Sequence, residues 1–188
     1  MKPKPINYEP GLGIWPPAAI ENAAKRFEEW RGTPWQNRMA KRGVGIDCLN
    51  LVRELYVAAD VLEEFTLPYY HFAIGIREQF NVMESFLEIC CEVDILPATA
   101  TATDGDAVLF RCGDTSNHIG MVLDDTVVHS RAGIGCIAHE CIFTDTAQIQ
   151  SFVRLKVSGF ARRPETITRQ EVKEKIIELR GGTCALSK

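Results

Sequence analysis

The sequence predicts an α+β domain, with N-terminal helices packed on an antiparallel β-sheet. Two observations carry this. Helical periodicity dominates the first half of the chain, and short β-type runs separated by turn residues fill the stretch from about 106 to 163. Helices first and closely spaced strands afterwards do not make the alternating pattern of a βαβ fold. A third observation sets the scale. A chain of 188 residues with 46% apolar and 24% charged residues fits one soluble globular domain with terminal appendages.

Residues 1–16 form a Pro-rich arm, with Pro3, Pro5, Pro10 and Pro16 breaking any regular element. The domain is expected over 17–163. Its first helix should run from Pro17 to Arg31, where Ile20, Ala23, Ala24, Phe27 and Trp30 keep i, i+3, i+4 spacing. Pro17 suits the first turn and Gly32 the position after the last. A loop leads to a second helix, Cys48 to Asp60, with Asp47 as its cap and Cys48, Leu51, Val52, Leu55, Tyr56 and Ala59 as its apolar stripe. A third helix is expected from Ile76 to Cys91. Strands are expected at 106–111, 118–123, 126–130, 134–140, 151–157 and 159–163. Beyond Pro164, Thr168 and Glu171 form a capping box for a C-terminal helix within the appendage 164–188.

The net charge of −4 gives no general attraction to nucleic acid, and no apolar run is long enough for a membrane span. The N-terminal stretch lacks a continuous apolar core, so no secretion signal is expected and the chain is expected to be cytoplasmic at synthesis. Seven cysteines, with no CxxC pair, read as free thiols. Cys112, His118, His129, Cys136 and Cys141 do not have the spacing of a zinc site. No metal and no organic cofactor is expected.

One cysteine is placed for chemistry. Cys48 would occupy the first turn of a helix, where unpaired N–H groups and the helix dipole favour a thiolate. It also lies on the apolar stripe, so a core role fits the same position. The segment HIGMVLDDTVVH sets His118 and His129 across a two-residue turn at Asp124 and Asp125. In that register Leu123 faces Thr126, Gly120 faces His129 and His118 faces Arg131. The two imidazoles become diagonal neighbours on one face, and Gly120 puts no side chain between them. A cysteine at a helix start with two such histidines makes a nucleophile, a base and an orienting group. Two strand histidines with no shared task fit the same residues. Arg53 and Arg131 are candidate contacts for an acidic substrate, with Arg53 the better fit to a solvated charge.

Four segments in order carry a resemblance: GTPW (32–35), GVGIDCLNLVRELY (43–56), DGDAVLF (104–110), then HIGMVL (118–123) with VVHS (127–130). The sequence resembles the NlpC-type cell-wall cysteine peptidases, a papain-like family, and most of all the branch associated with phages and prophages. The resemblance implies a papain-like fold with Cys48 as nucleophile, His118 as general base and His129 as orienting residue. It implies hydrolysis of an amide bond in peptidoglycan stem peptides, usually between γ-D-glutamate and a diamino acid. Substrate-binding candidates are Trp35, Asp47 and Arg131. Trp35 stands where the family usually has Tyr, and Leu49 and Asn50 replace the common Ser and Gly. Those departures fit an alternative in which the chain is a catalytically degenerate adaptor of a phage tail or similar particle.

Overall fold

The computed structural model describes residues 8–13, 15–64, 66–67, 93–112, 115–132, 135–139 and 149–155. Two helices, α1 (Pro17–Trp30) and α2 (Cys48–Ala58), precede a sheet of six strands: β3 (Val93–Pro97), β4 (Ala107–Cys112), β5 (Thr115–Leu123), β6 (Thr126–Arg131), β7 (Gly135–His139) and β8 (Ile149–Leu155). A two-stranded ribbon, β1 (Ala40–Lys41) and β2 (Gly45–Ile46), lies between the helices. The large sheet has the order β3-β8-β4-β5-β6-β7, and all its pairings are antiparallel. This is the α+β class expected from the sequence. The expected helix 76–91, the strand 159–163 and the C-terminal helix lie outside the described residues, as do His71, Cys90, Cys91, Cys141 and Cys184.

Pro17 opens α1 in its first turn, and Gly32 at φ +77° takes the left-handed conformation just past the helix end. Ala19, Ala23, Phe27 and Trp30 form its buried face. On α2, Leu51, Val52, Leu55 and Tyr56 are almost fully buried. Burial of each large apolar side chain contributes about 1.5–3 kcal/mol. The helix turns this stripe onto one face of the sheet, against Leu109, Ile119, Met121 and Val128. The opposite face carries a second cluster of Val108, Phe110, Val122, Val127 and Phe152. The central strands β4, β5 and β6 therefore alternate between two apolar layers.

The β5–β6 hairpin turns at Asp124 and Asp125, whose φ values of +50° and +60° are those of a type I′ turn. Leu123 pairs with Thr126, Val122 with Val127 and Met121 with Val128. Asp104 braces the turn by accepting from the Asp124 N–H at 2.6 Å, and the Tyr8 hydroxyl donates to its other oxygen at 2.7 Å. Asp106 sits at the entry to β4 and pairs with Arg154 of β8 through two contacts, at 2.9 and 2.7 Å. Its role is to join those strands.

Candidate active site

The start of α2 is held from three sides. Asp47 caps the helix. One carboxylate oxygen accepts from the Asn50 N–H at 2.9 Å and the Asn50 side-chain amide at 3.1 Å, and the other from the Arg38 N–H. The chain at Pro34–Gln36 runs beside β2, with Ile46 N–H donating to Pro34 O and Gln36 N–H to Ile46 O. Ser130 of β6 donates its hydroxyl to Ile46 O at 2.8 Å. These contacts fix the backbone two residues before Cys48, so the cysteine's position is set by the sheet as much as by its own helix.

His118 and His129 stand on one face of the hairpin. Their rings approach at 4.9 Å between centroids, and His118 Nε2 lies 2.6 Å from His129 Nδ1. A Cβ added to Gly120 would come within 3.2 Å of His129 Cβ and 2.6 Å of Val127 Cγ1, so only glycine leaves that lane open. Phe110, directly opposite His118 on β4, lies against both rings, at 5.2 Å from His118 and 5.9 Å from His129. The sequence reading missed Phe110. Its signal was present, because extending the hairpin register onto DGDAVLF brings Phe110 to His118.

One part of the sequence register is corrected. Gly120 was expected to face His129 and His118 to face Arg131, but the β5–β6 pairing ends at Met121 and Val128 and includes neither. Past that point Ile119 directs its backbone N–H at the sulfur of Cys48, and Ser130 turns its hydroxyl to Ile46. The N-terminus of α2 thus meets β5 one residue from His118.

The electrostatics correct a second expectation. A helix start was expected to favour the Cys48 thiolate. Burial instead pushes the thiol up to about 12, and the adjacent Asp47 carboxylate adds to the rise; the N–H groups of Ile119, Leu49 and Cys48 itself act the other way. Desolvation and an acidic neighbour outweigh the helix terminus here. Burial also drives His118 down to about 3, with further contributions from His129 and Arg131. At neutral pH the Cys48 thiol and the His118 imidazole are therefore both neutral.

Of the substrate-binding candidates, Asp47 is only 2% exposed and its carboxylate is engaged with the chain's own N–H groups. Its placement is that of a positioning group, which corrects the expectation of a substrate contact. Trp35 is half-buried beside Ile46. Arg131 is exposed at the end of β6, two residues from His129. Arg53 lies within ion-pair distance of Glu54 and Glu64 and is largely buried, so it is not a solvated charge. Among the described residues no three His, Cys, Asp or Glu side chains converge as a metal site, and no helix is long and apolar enough to cross a membrane.

No family model matches the chain, and no curated protein matches it. Solved structures do. The NlpC/p60 domain of the peptidoglycan hydrolase SagA aligns over 72% of this chain and 97% of its own length, at 14% identity and a TM-score of 0.46. The P60 domain of an antigen from M. avium subspecies paratuberculosis aligns over 73% and 93%, at 16% identity and 0.45. RipD from Mycobacterium tuberculosis, described as a non-catalytic NlpC/p60 domain protein, aligns over 74% and 98%, at 14% identity and 0.44.

Proposed function

We propose that this chain is an NlpC-type cysteine peptidase that hydrolyses an amide bond in peptidoglycan stem peptides through a thioester on Cys48. The observation that carries the reading is the 2.6 Å contact between His118 Nε2 and His129 Nδ1, on strand β5 whose next residue, Ile119, meets the Cys48 sulfur. With Nε2–H donated to His129, His118 exposes the lone pair of Nδ1 as the proton acceptor. The thiol proton passes to that nitrogen as sulfur attacks the scissile carbonyl. The imidazolium then protonates the leaving amine, and water, deprotonated by the same ring, releases the acid and the free thiol. The N–H groups of Cys48 and Leu49, in the first turn of α2, lie beside the sulfur and would serve as donors to the developing oxyanion. The motif resemblance supports a γ-D-glutamyl–diamino acid bond as the target. Neutral resting partners are consistent with this chemistry, because transfer then occurs on attack, once substrate has displaced water from the site.

A second reading is supported by Trp35, which offers one indole N–H where the family usually has a phenol, and by the raised Cys48 thiol. In it the chain is a degenerate adaptor incorporated into a phage-like particle. Incubation with purified muropeptides and mass spectrometry tests both. Loss of mass at a stem-peptide amide, absent with Cys48→Ala, is the result expected of the peptidase. No cleavage by the folded parent across a broad panel favours the adaptor.

A further inference from the structure

Phe110 stands where β4 loses its regular register with both neighbouring strands. The pairing with β8 shifts between Leu109 and Phe110, and the pairing with β5 shifts between Phe110 and Arg111. Phe110 pairs with His118 and Arg111 with Ser116, so Asn117, the residue just before His118, drops out of the register. An extra residue of this kind bends a strand and re-aims the side chains beside it.

Three rings meet at that point. Phe110 lies 5.2 Å from His118 at an interplanar angle of 32° and 5.9 Å from His129 at 28°. The imidazoles themselves lie 4.9 Å apart at 58°. Strand β5 separates β4 from β6, and two strand spacings come to roughly 10 Å. Contact between Phe110 and His129 therefore needs bare backbone on β5 between them, and Gly120 provides it. Phe110 is 8% exposed, presents a flat apolar face to each imidazole and offers no hydrogen-bonding atom of its own. The χ2 torsion of histidine is broad and nearly two-fold. A ring free to turn would exchange its Nδ1 and Nε2 edges and break the 2.6 Å contact between His118 and His129. Packing on the ring faces limits that turning and leaves the nitrogen edges to each other.

We propose that Phe110 is a positioning residue that acts through His118 and His129, holding the two imidazoles in the planes their hydrogen bond requires. Its effect on turnover rests on the peptidase reading, whereas its effect on the rings is observable without substrate.

The test compares the parent with Phe110→Leu, Phe110→Tyr and Phe152→Leu. Phe152 is fully buried in the same apolar layer, on β8 opposite Val108, and reports what loss of an aromatic ring does to that layer in general. Two properties are measured: kcat and KM for muropeptide cleavage, and proton–nitrogen correlation spectra of the imidazoles, assigned with His118→Gln and His129→Gln. The parent should show His118 in a single tautomer, with a downfield proton from its bond to His129. Phe110→Leu should lose that signature, and its kcat should fall roughly 10- to 100-fold with KM within about threefold, the range expected when a reacting group is misplaced. Phe110→Met carries the same expectation and replaces Phe110→Leu if the latter does not fold. Phe110→Tyr keeps the flat face and should retain both the signature and kcat. Phe152→Leu should lower the melting temperature and retain both as well. The proposal is overturned if Phe110→Leu keeps the single tautomer, if Phe110→Tyr loses as much as Phe110→Leu, or if Phe152→Leu does. If the folded parent cleaves no muropeptide, the peptidase reading fails and the spectra alone decide the role of Phe110, by the same three comparisons.

Discussion

The Ser130 hydroxyl donates to the backbone carbonyl of Ile46 across 2.8 Å, and it does so in a fully buried setting. That bond joins the strand carrying His129 to the residue two before Cys48. With the Ile119 N–H at the Cys48 sulfur, it sets the spacing between the two halves of the site.

Ser130→Ala should therefore cost both stability and activity. The Ile46 carbonyl keeps the Gln36 N–H as a donor, so the change removes one of its two hydrogen bonds, a loss of about 0.5–1.5 kcal/mol. For a chain of this length the melting temperature should drop by roughly 1–6 °C. Thermal denaturation checks the first effect. Muropeptide cleavage checks the second, with kcat expected to fall more than KM changes. An unchanged kcat in a protein with a lowered melting temperature would show that the bond stabilises the fold without positioning the site.

His118 gives a pH dependence of definite sign. Its folded-state pKa lies near 3, below the ordinary value of 6.5, because burial disfavours the cation. Between those values the unfolded chain binds a proton that the folded chain does not, so stability rises with pH through that window. It is fully present above about 6.5 and drains away as pH falls towards 3. His118→Gln, neutral at every pH, should flatten that acid limb. Melting temperatures of the two proteins from pH 8 to pH 4 make the comparison, and the parent should lose ground as pH drops. In activity, His118→Gln should lose at least about 100-fold, as expected for removal of a general base, and His129→Gln should lose less.

Much of this was legible because it is local. A type I′ turn at Asp124 and Asp125 dictates which residues share a face, and that alone brings His118 to His129. The α2 cap and stripe follow from 3.6-residue periodicity. What was not legible depends on distant parts of the chain. The two-residue strands β1 and β2 are too short to leave a pattern. Ending the β5–β6 pairing at Met121 requires α2 to arrive from the first half of the chain. The direction of the Cys48 shift was misread for the same reason: the helix terminus and the adjacent Asp47 are visible in sequence, while the complete burial that is the larger cause of the shift is not.

The turn itself is open to improvement. Asp124 and Asp125 both hold positive φ, a conformation that costs an ordinary L-residue about 1–2 kcal/mol and Asp somewhat less. Asp125→Gly relieves that strain at the second position, where type I′ turns favour glycine, against an entropic cost of about 0.5–1 kcal/mol. A small gain in melting temperature, roughly 1–3 °C, is expected with cleavage unchanged. Asp124→Ala should act the other way. A marked loss of stability in Asp125→Gly would mean that the Asp125 side chain makes a contact that outweighs its backbone strain.

The raised thiol makes the final prediction. A cysteine with a pKa near 12 is almost wholly protonated at pH 7.5, and alkylation proceeds through the thiolate. Cys48 in the resting protein should react slowly with iodoacetamide, slower than an unperturbed model thiol. Burial is the larger cause and Asp47 the second. Removing the Asp47 charge while keeping an oxygen to cap α2 isolates the second cause. Asp47→Asn should therefore lower the thiol pKa and speed labelling of Cys48 by several-fold at pH 8, with the midpoint of the rate–pH curve displaced to lower pH. Peptide mapping of the labelled protein assigns the rate to Cys48. Circular dichroism and the melting temperature establish that the cap still holds. If Asp47→Asn leaves the midpoint where it was, burial alone sets the thiol and the carboxylate acts only as a cap. If the parent labels at Cys48 as fast as a free thiol, the neutral resting pair is wrong, and Cys48 and His118 already share a proton before substrate arrives.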